Sequence, residues 1–172
     1  MRTAATLRSF APVLAANARA LILGSMPGGA SLAASQYYAH PQNQFWRIMG
    51  TLYGAGPDLA YEQRLQTLQS AGISLWDVLH SCVRRGSLDA AIERASALPN
   101  DLPALLQTQP GIACICCNGL AAYQTLQRHF APRLASDFPH IDVLRLPSTS
   151  PAHASWSYDR KRAAWAAALS RV

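Results

Sequence analysis

The chain has 172 residues, half of them hydrophobic, and carries a formal net charge of +6. That size and composition give a single domain over 1–172 with a core of its own and exclude a disordered chain, and no apolar run reaches the roughly 18–20 residues of a membrane span. Fourteen arginines against one lysine, Lys161, favour an anionic partner such as nucleic acid, although an arginine-rich codon bias gives the same balance.

The N-terminal stretch MRTAATLRSFAPVLAANARALILGS begins like a signal peptide, but Arg19 interrupts it and the apolar run that follows leads into a glycine turn. It reads as part of a mature, cytoplasmic protein. ALILGS (20–25) is the first of four short apolar runs with the character of buried strands. It ends in GSMPGG (24–29), whose glycines permit a tight turn and whose N–H groups can hold an anion or a water. This is neither a dinucleotide fingerprint nor a phosphate-binding P-loop, so a plain turn and a ligand site remain equal readings.

YYAHPQNQFW (37–46) follows. Phe45, Trp46, Ile48 and Met49 start an apolar helix, which makes Phe45 and Trp46 core residues. Tyr37 and Tyr38 precede Pro41 on a loop, where a ring can stack on a base. Asn43 is either the cap of the following helix or a functional amide. LAYEQRLQTLQSAG (59–72) is an amphipathic helix closed by Gly72. The second strand, ISLWDV (73–78), carries Asp77 near its end, and a carboxylate there needs a hydrogen-bonding partner, from the protein or from a ligand. Arg84 and Arg85 beyond it are either solvated or in contact with an anion.

LPALLQTQ (102–109) is a short helix before Pro110, and IACICC (112–117) is the third strand. Its cysteines with Cys82 form no C-x-x-C pair, so they read as reduced, buried small hydrophobes rather than metal ligands. GLAAYQTLQRHF (119–130) is a helix expected to stop before Pro132, and IDVLRL (141–146) is the fourth strand. LPSTSPAHAS (146–155) is a proline-bracketed, hydroxyl-rich loop suited to gripping phosphate. The last helix, 159–172, presents Ala163, Trp165, Ala166 and Leu169 inward; Lys161 on it lies far from any motif, so lysine-based covalent catalysis is not expected.

Strands alternating with helices predict a three-layer α/β/α sandwich around a central, mainly parallel four-stranded sheet. Ligands bind beyond the carboxyl ends of such strands, where every motif above falls.

In order and spacing, GSMPG, YYAHPQNQFW, GISLWDVLHSC with RRGSLDAAI, the strand ending in Asn118-Gly119, and LPSTSPAHAS together resemble the uracil-DNA glycosylase superfamily, and within it the hypoxanthine (deoxyinosine) branch, family six. The resemblance covers nearly the whole chain. It implies hydrolysis of the N-glycosidic bond of a flipped, deaminated base in DNA base-excision repair, with no covalent intermediate, cofactor or metal. It makes Asn43 the residue that positions the attacking water, Tyr38 the ring stacked on the base, and Asp77 the reader of the base edge where relatives carry asparagine. Gly24, Ser25, Met26 and His40 would complete the base pocket, with backbone N–H groups of the Gly24–Gly28 turn stabilising the departing base. An ionised Asp77 would accept from the N1–H of hypoxanthine. Ser148, Thr149, Ser150, Pro151 and His153 would contact DNA, the LPSTSPA loop being similar to the family's DNA-intercalating and phosphate-gripping motif.

Two positions depart from the wider superfamily. Met26 stands where many members have a catalytic Asp or Asn, and Leu146 stands where many have a histidine. They motivate the alternatives: a glycosylase for uracil, xanthine or a mismatched pyrimidine, or a catalytically silent binder of damaged or single-stranded DNA. A hydrolase using Ser148 or Ser150 with His153 is a third reading, weakened by the lack of a G-x-S-x-G elbow. The expected partner is DNA, with no membrane, and the expected state is a cytoplasmic, nucleoid-associated monomer.

Overall fold

The four apolar runs pair edge to edge in the order second, first, third, fourth. In a computed structural model, which describes residues 5–172, the strands are β1 (Thr6–Arg8), β2 (Ala20–Gly24), β3 (Ile73–Asp77), β4 (Leu79–Val83), β5 (Leu98–Pro99), β6 (Cys114–Asn118) and β7 (Asp142–Leu146). Met1–Ala4, the start of the segment read as mature protein, lie outside the described residues. The central sheet runs β3-β2-β6-β7 with every pair parallel. Its register aligns Gly24 with Asp77 and Asn118 with Leu146, so one edge collects the ends of all four strands.

Side-chain alternation builds the layers. Leu21, Leu23, Ile115 and Cys117 face one side. There they meet α4 (Leu102–Thr108) and α5 (Leu120–Asp137) through Leu102, Leu105, Leu126 and Phe130. Ala20, Ile22, Ile73, Leu75 and Cys116 face the other. There they meet α2 (Phe45–Tyr53), α3 (Tyr61–Ser70) and α6 (Tyr158–Leu169) through Phe45, Ile48, Leu68 and Trp165. The three-layer α/β/α sandwich is therefore the fold. The helix α1 (Gly29–Ala34) completes the set of six. All four cysteines are free and buried.

Three expectations change. The helix after Asn118 does not stop before Pro132 but runs through it to Asp137. The ring removes one helical hydrogen bond, and the burial of Leu134 and of Phe138 beyond it offsets that loss. On α6, Ala163 is exposed and the inward place goes to Lys161. The antiparallel sheet β1-β4-β5 was not anticipated, because its strands are short and β4 follows β3 after one residue.

Candidate active site

The shared carboxyl edge of the sheet opens into a cavity of about 330 Å³, within the range of small-ligand pockets. Gly24 and Asp77 end neighbouring strands and form its floor. A Cβ placed on Gly24 would lie 2.5 Å from Asp77 Oδ1 and 3.5 Å from the Tyr38 hydroxyl. Only glycine leaves those two groups room. Asp77 is 4 % exposed, and its Oδ2 is buried without a hydrogen-bond partner. Burial pushes its pKa up to about 7; the Asp89 charge adds to that rise and Arg84 opposes it. A carboxyl held this way keeps its proton well above the ordinary carboxylate range.

Tyr38 and Asn43 form a wall. Tyr38 has φ 54°, a strained conformation for a bulky residue. Its ring stacks on Phe45, with centroids 3.9 Å apart and planes inclined by 27°. The hydroxyl is buried near the Asn118 amide but outside hydrogen-bonding geometry, and burial followed by the Asp77 charge keeps it protonated. Tyr37 turns instead into the core, donating to the Ala11 carbonyl. Asn43 Oδ1 accepts the Phe45 N–H at 2.9 Å. Gln44, not Asn43, stands at the N-cap position of α2, so the structure corrects the helix-cap reading: Asn43 closes an Asx turn over the first helical N–H, which leaves it open to a functional role. That hydrogen bond fixes which end of the amide is the oxygen, leaving both Nδ2 hydrogens and one oxygen lone pair for a ligand or water. His40 is exposed at the rim, its Nδ1 accepting the Gln42 N–H.

Among the described residues, the N–H groups of Ser25, Met26 and Gly28 are taken by no acceptor. All three residues line the cavity. The Met26 side chain packs inward on Leu79 and Cys82. Across the cavity, Gln44 N–H donates to the Thr149 carbonyl, tying the HPQN segment to the loop after β7. Thr149 is fully buried, and it exchanges two hydrogen bonds with the Asn118 side chain at 3.0 and 2.9 Å. No group of three His, Cys, Asp or Glu among the described residues is placed to hold a metal ion.

A family model described as the uracil DNA glycosylase superfamily matches residues 11–169. The chain belongs to this superfamily. It is 37% identical over 157 residues to the hypoxanthine DNA glycosylase of Methanosarcina acetivorans, covering 90% of this chain and 92% of that one. It is 36% identical over 113 residues to the hypoxanthine DNA glycosylase of Methanosarcina barkeri, covering 65% and 70%. An M. acetivorans protein solved by NMR in solution and described as a candidate uracil DNA glycosylase superposes with a TM-score of 0.79 at 35% identity, covering 97% of this chain and 98% of that one.

On this uracil DNA glycosylase scaffold, Gly24, Ser25, Met26, Tyr38, His40, Asn43, Asp77, Ser148, Thr149, Ser150 and Pro151 all line one cavity. His153 does not line it; its Nε2 is buried without a partner and bonds to neither Ser148 nor Ser150, so no serine–histidine dyad is assembled. Lys161 is not remote from the motifs, as its place on the last helix suggests. It is 2 % exposed, and its Nζ donates to the His153 carbonyl at 2.6 Å, bracing the loop from behind. The Arg84 side chain is held inside the protein, its Nη1 buried without a hydrogen-bond partner. It is 4 % exposed and donates to the Pro27 and Gly86 carbonyls, whereas Arg85 is exposed. Sequence reasoning gave no role to Asn118, Ser87 or Asp89. The Asn-Gly step after the third strand was the available signal for Asn118; nothing local announces the other two.

Proposed function

We propose that this superfamily member is a monofunctional hypoxanthine-DNA glycosylase. One observation carries the reading: the Asn43 amide, held by the Phe45 N–H, shares a cavity with the unpartnered Asp77 carboxyl, in a chain 37% identical to a protein named hypoxanthine DNA glycosylase. A duplex base reaches such a cavity only when flipped out of the stack. Tyr38 would then stack on it. Asn43 would hold a water against the sugar. The water oxygen bonds to C1′ as the C1′–N9 bond breaks. The bonding electron pair leaves with the base, and the water gives up a proton that the departing base takes up directly or through solvent.

Cleavage builds positive character on the sugar and negative charge on the departing base. An amide orients water but is a poor base, so electrostatics must supply much of the barrier reduction. The free N–H groups of the GSMPGG turn are suited to stabilise the departing base. The raised pKa of Asp77 favours a neutral carboxyl over an ionised one in this role. Its O–H would donate to O6 and its other oxygen would accept from N1–H, the pattern an asparagine amide offers. A neutral group also does not oppose the anionic leaving base. Ser148, Ser150 and Pro151 on the rim are the proposed DNA contacts, with Thr149 as their buried tether.

The test is base release from end-labelled duplexes carrying one hypoxanthine, uracil or xanthine, read as strand breaks after alkali. Release of hypoxanthine in preference to the others is expected. Preferential release of uracil or xanthine would replace the substrate. Binding without any release would make the chain a silent DNA binder.

A further inference from the structure

A bond cleavage that leaves negative charge on the base is helped by positive charge close by. The cavity wall supplies little of it. Among the described residues, no arginine or lysine lines the cavity, while two carboxyls, those of Asp77 and Asp89, do. A cation stands one peptide group behind the wall. RRGSLD (84–89) follows β4 and holds the GSMPGG turn at three points. Arg84 Nη2 donates to the Pro27 carbonyl at 2.6 Å, Ser87 Oγ accepts the Gly29 N–H at 2.9 Å, and Asp89 Oδ1 accepts the Ser25 hydroxyl at 2.6 Å. Arg84 Nε also donates to the Gly86 carbonyl, and the side chain is buried. Burial raises the pKa of Asp77 and of Asp89, and the Arg84 charge opposes the rise at both, so its field reaches the cavity.

The turn is oriented to pass that charge on. The Gly24 and Ser25 carbonyls accept the Val78 and Leu79 N–H groups, and the Pro27 carbonyl accepts Arg84. Every peptide among the described residues is trans, so the N–H of each of these groups points away from the partner of its carbonyl. Those N–H groups belong to Ser25, Met26 and Gly28, the same ones that no acceptor among the described residues takes. Only the Gly28 N–H has a charged group on its carbonyl. Gly28 lines the cavity and Arg84 does not, so the Pro27–Gly28 peptide lies between the arginine and the cavity. A charge-assisted bond to a carbonyl polarises the peptide and strengthens the donor at its other end.

We propose that Arg84 is a positioning residue for the chemical step: its charge, relayed through the Pro27–Gly28 peptide, makes the Gly28 N–H the donor that stabilises the departing base. This rests on the glycosylase reading and deepens it. The relay keeps the full guanidinium out of the cavity, where it would pair with Asp77 or Asp89, yet brings part of its charge to the place where the anion forms.

The experiment is single-turnover release of hypoxanthine, and of 2-fluorohypoxanthine, from one duplex. Fluorine withdraws electrons and steadies the departing anion, so that base relies less on the donor. Gly28 has φ −71° and ψ 172°, within the range of proline, and its N–H has no acceptor, so Gly28→Pro deletes the donor and breaks no hydrogen bond. Read against Gly28→Ala, which keeps the N–H, Gly28→Pro should lose about tenfold or more on hypoxanthine and clearly less on the fluorinated base. Arg84→Gln should show the same split, and Arg84→Lys, which keeps the charge, should recover most of the loss. Adding Arg84→Gln to Gly28→Pro should cost less than about a further twofold, because both act on one peptide. Equal losses on the two bases would make the turn and its arginine a structural unit and overturn the relay. A Gly28→Pro rate equal to that of Gly28→Ala would overturn it too, and this result stands even where Arg84→Gln fails to fold. So would a folded Arg84→Lys that loses as much as Gly28→Pro. A wild type that releases neither base would overturn the glycosylase reading, and the relay with it.

Discussion

Asp77 illustrates how one atom's surroundings set both stability and chemistry. Its pKa rises from an ordinary 3.8 to about 7. Between those values the folded protein holds a proton that the unfolded chain has released. The contribution of Asp77 to stability is therefore fully present below about 4, falls as pH rises toward 7, and is level above it. The shift corresponds to a loss on the order of 4 kcal/mol at most. Asp77→Asn removes the titration, so urea unfolding should show wild type losing stability relative to the variant between pH 5 and pH 8. Parallel curves would contradict the raised value. In catalysis the same group should make hypoxanthine release by wild type fall above about pH 7, while Asp77→Asn stays flat and active.

At this scale the sequence shows which residues share the cavity better than how they are held. The grouping of Asn43, Tyr38 and Asp77 is legible because each stands in a long motif. The burial of Arg84 and Lys161 is not, because the carbonyls that satisfy them belong to Pro27 and to His153, and those pairings exist only in the fold.

At the scale of elements, β2, β3 and β6 are legible because burial on both faces makes a parallel strand continuously hydrophobic, whereas the edge strand β7 is only partly buried and departs from the expectation of a buried strand. The extension of α5 through Pro132 is not, because packing of Leu134 outweighs a local rule. The small antiparallel sheet and the RRGSLD segment have no periodic signal at all. Yet that segment shapes the GSMPGG turn, and Arg84 is its deepest tie. Arg84→Met removes two charge-assisted hydrogen bonds and leaves the Pro27 carbonyl without its donor. A destabilisation of about 2–4 kcal/mol by chemical denaturation is expected. A change below about 0.5 kcal/mol, the level of an ordinary surface substitution, would contradict the clamp.

Across the whole molecule, the net charge of +6 is spread over arginines of which few are neutralised. The ion pairs among the described residues are three exposed ones, made by Arg133, Arg162 and Arg171. Such pairs contribute little to stability, which leaves the remaining exposed guanidiniums free for phosphate. Affinity for undamaged duplex should therefore fall with salt, with a log–log slope steeper than about −2, since each phosphate neutralised contributes about 0.9. A flat response would show that the charge does not serve DNA. The central sheet brings Gly24, Asp77 and Asn118 to one edge and leads β7 into the hydroxyl-rich loop that lines the same cavity, so one topology places both.

The most direct test compares hypoxanthine release by wild type and Asn43→Ala under single turnover, with DNA affinity and unfolding measured on both. Loss of the hydrogen bond from the Phe45 N–H to Asn43 should cost the variant about 1 kcal/mol of stability. Its release rate should fall by ~100-fold or more with DNA affinity retained, the scale of a positioned group at a reacting centre. An unchanged rate in a folded, DNA-binding variant would leave Asn43 a structural turn residue and contradict the account of how the water is held.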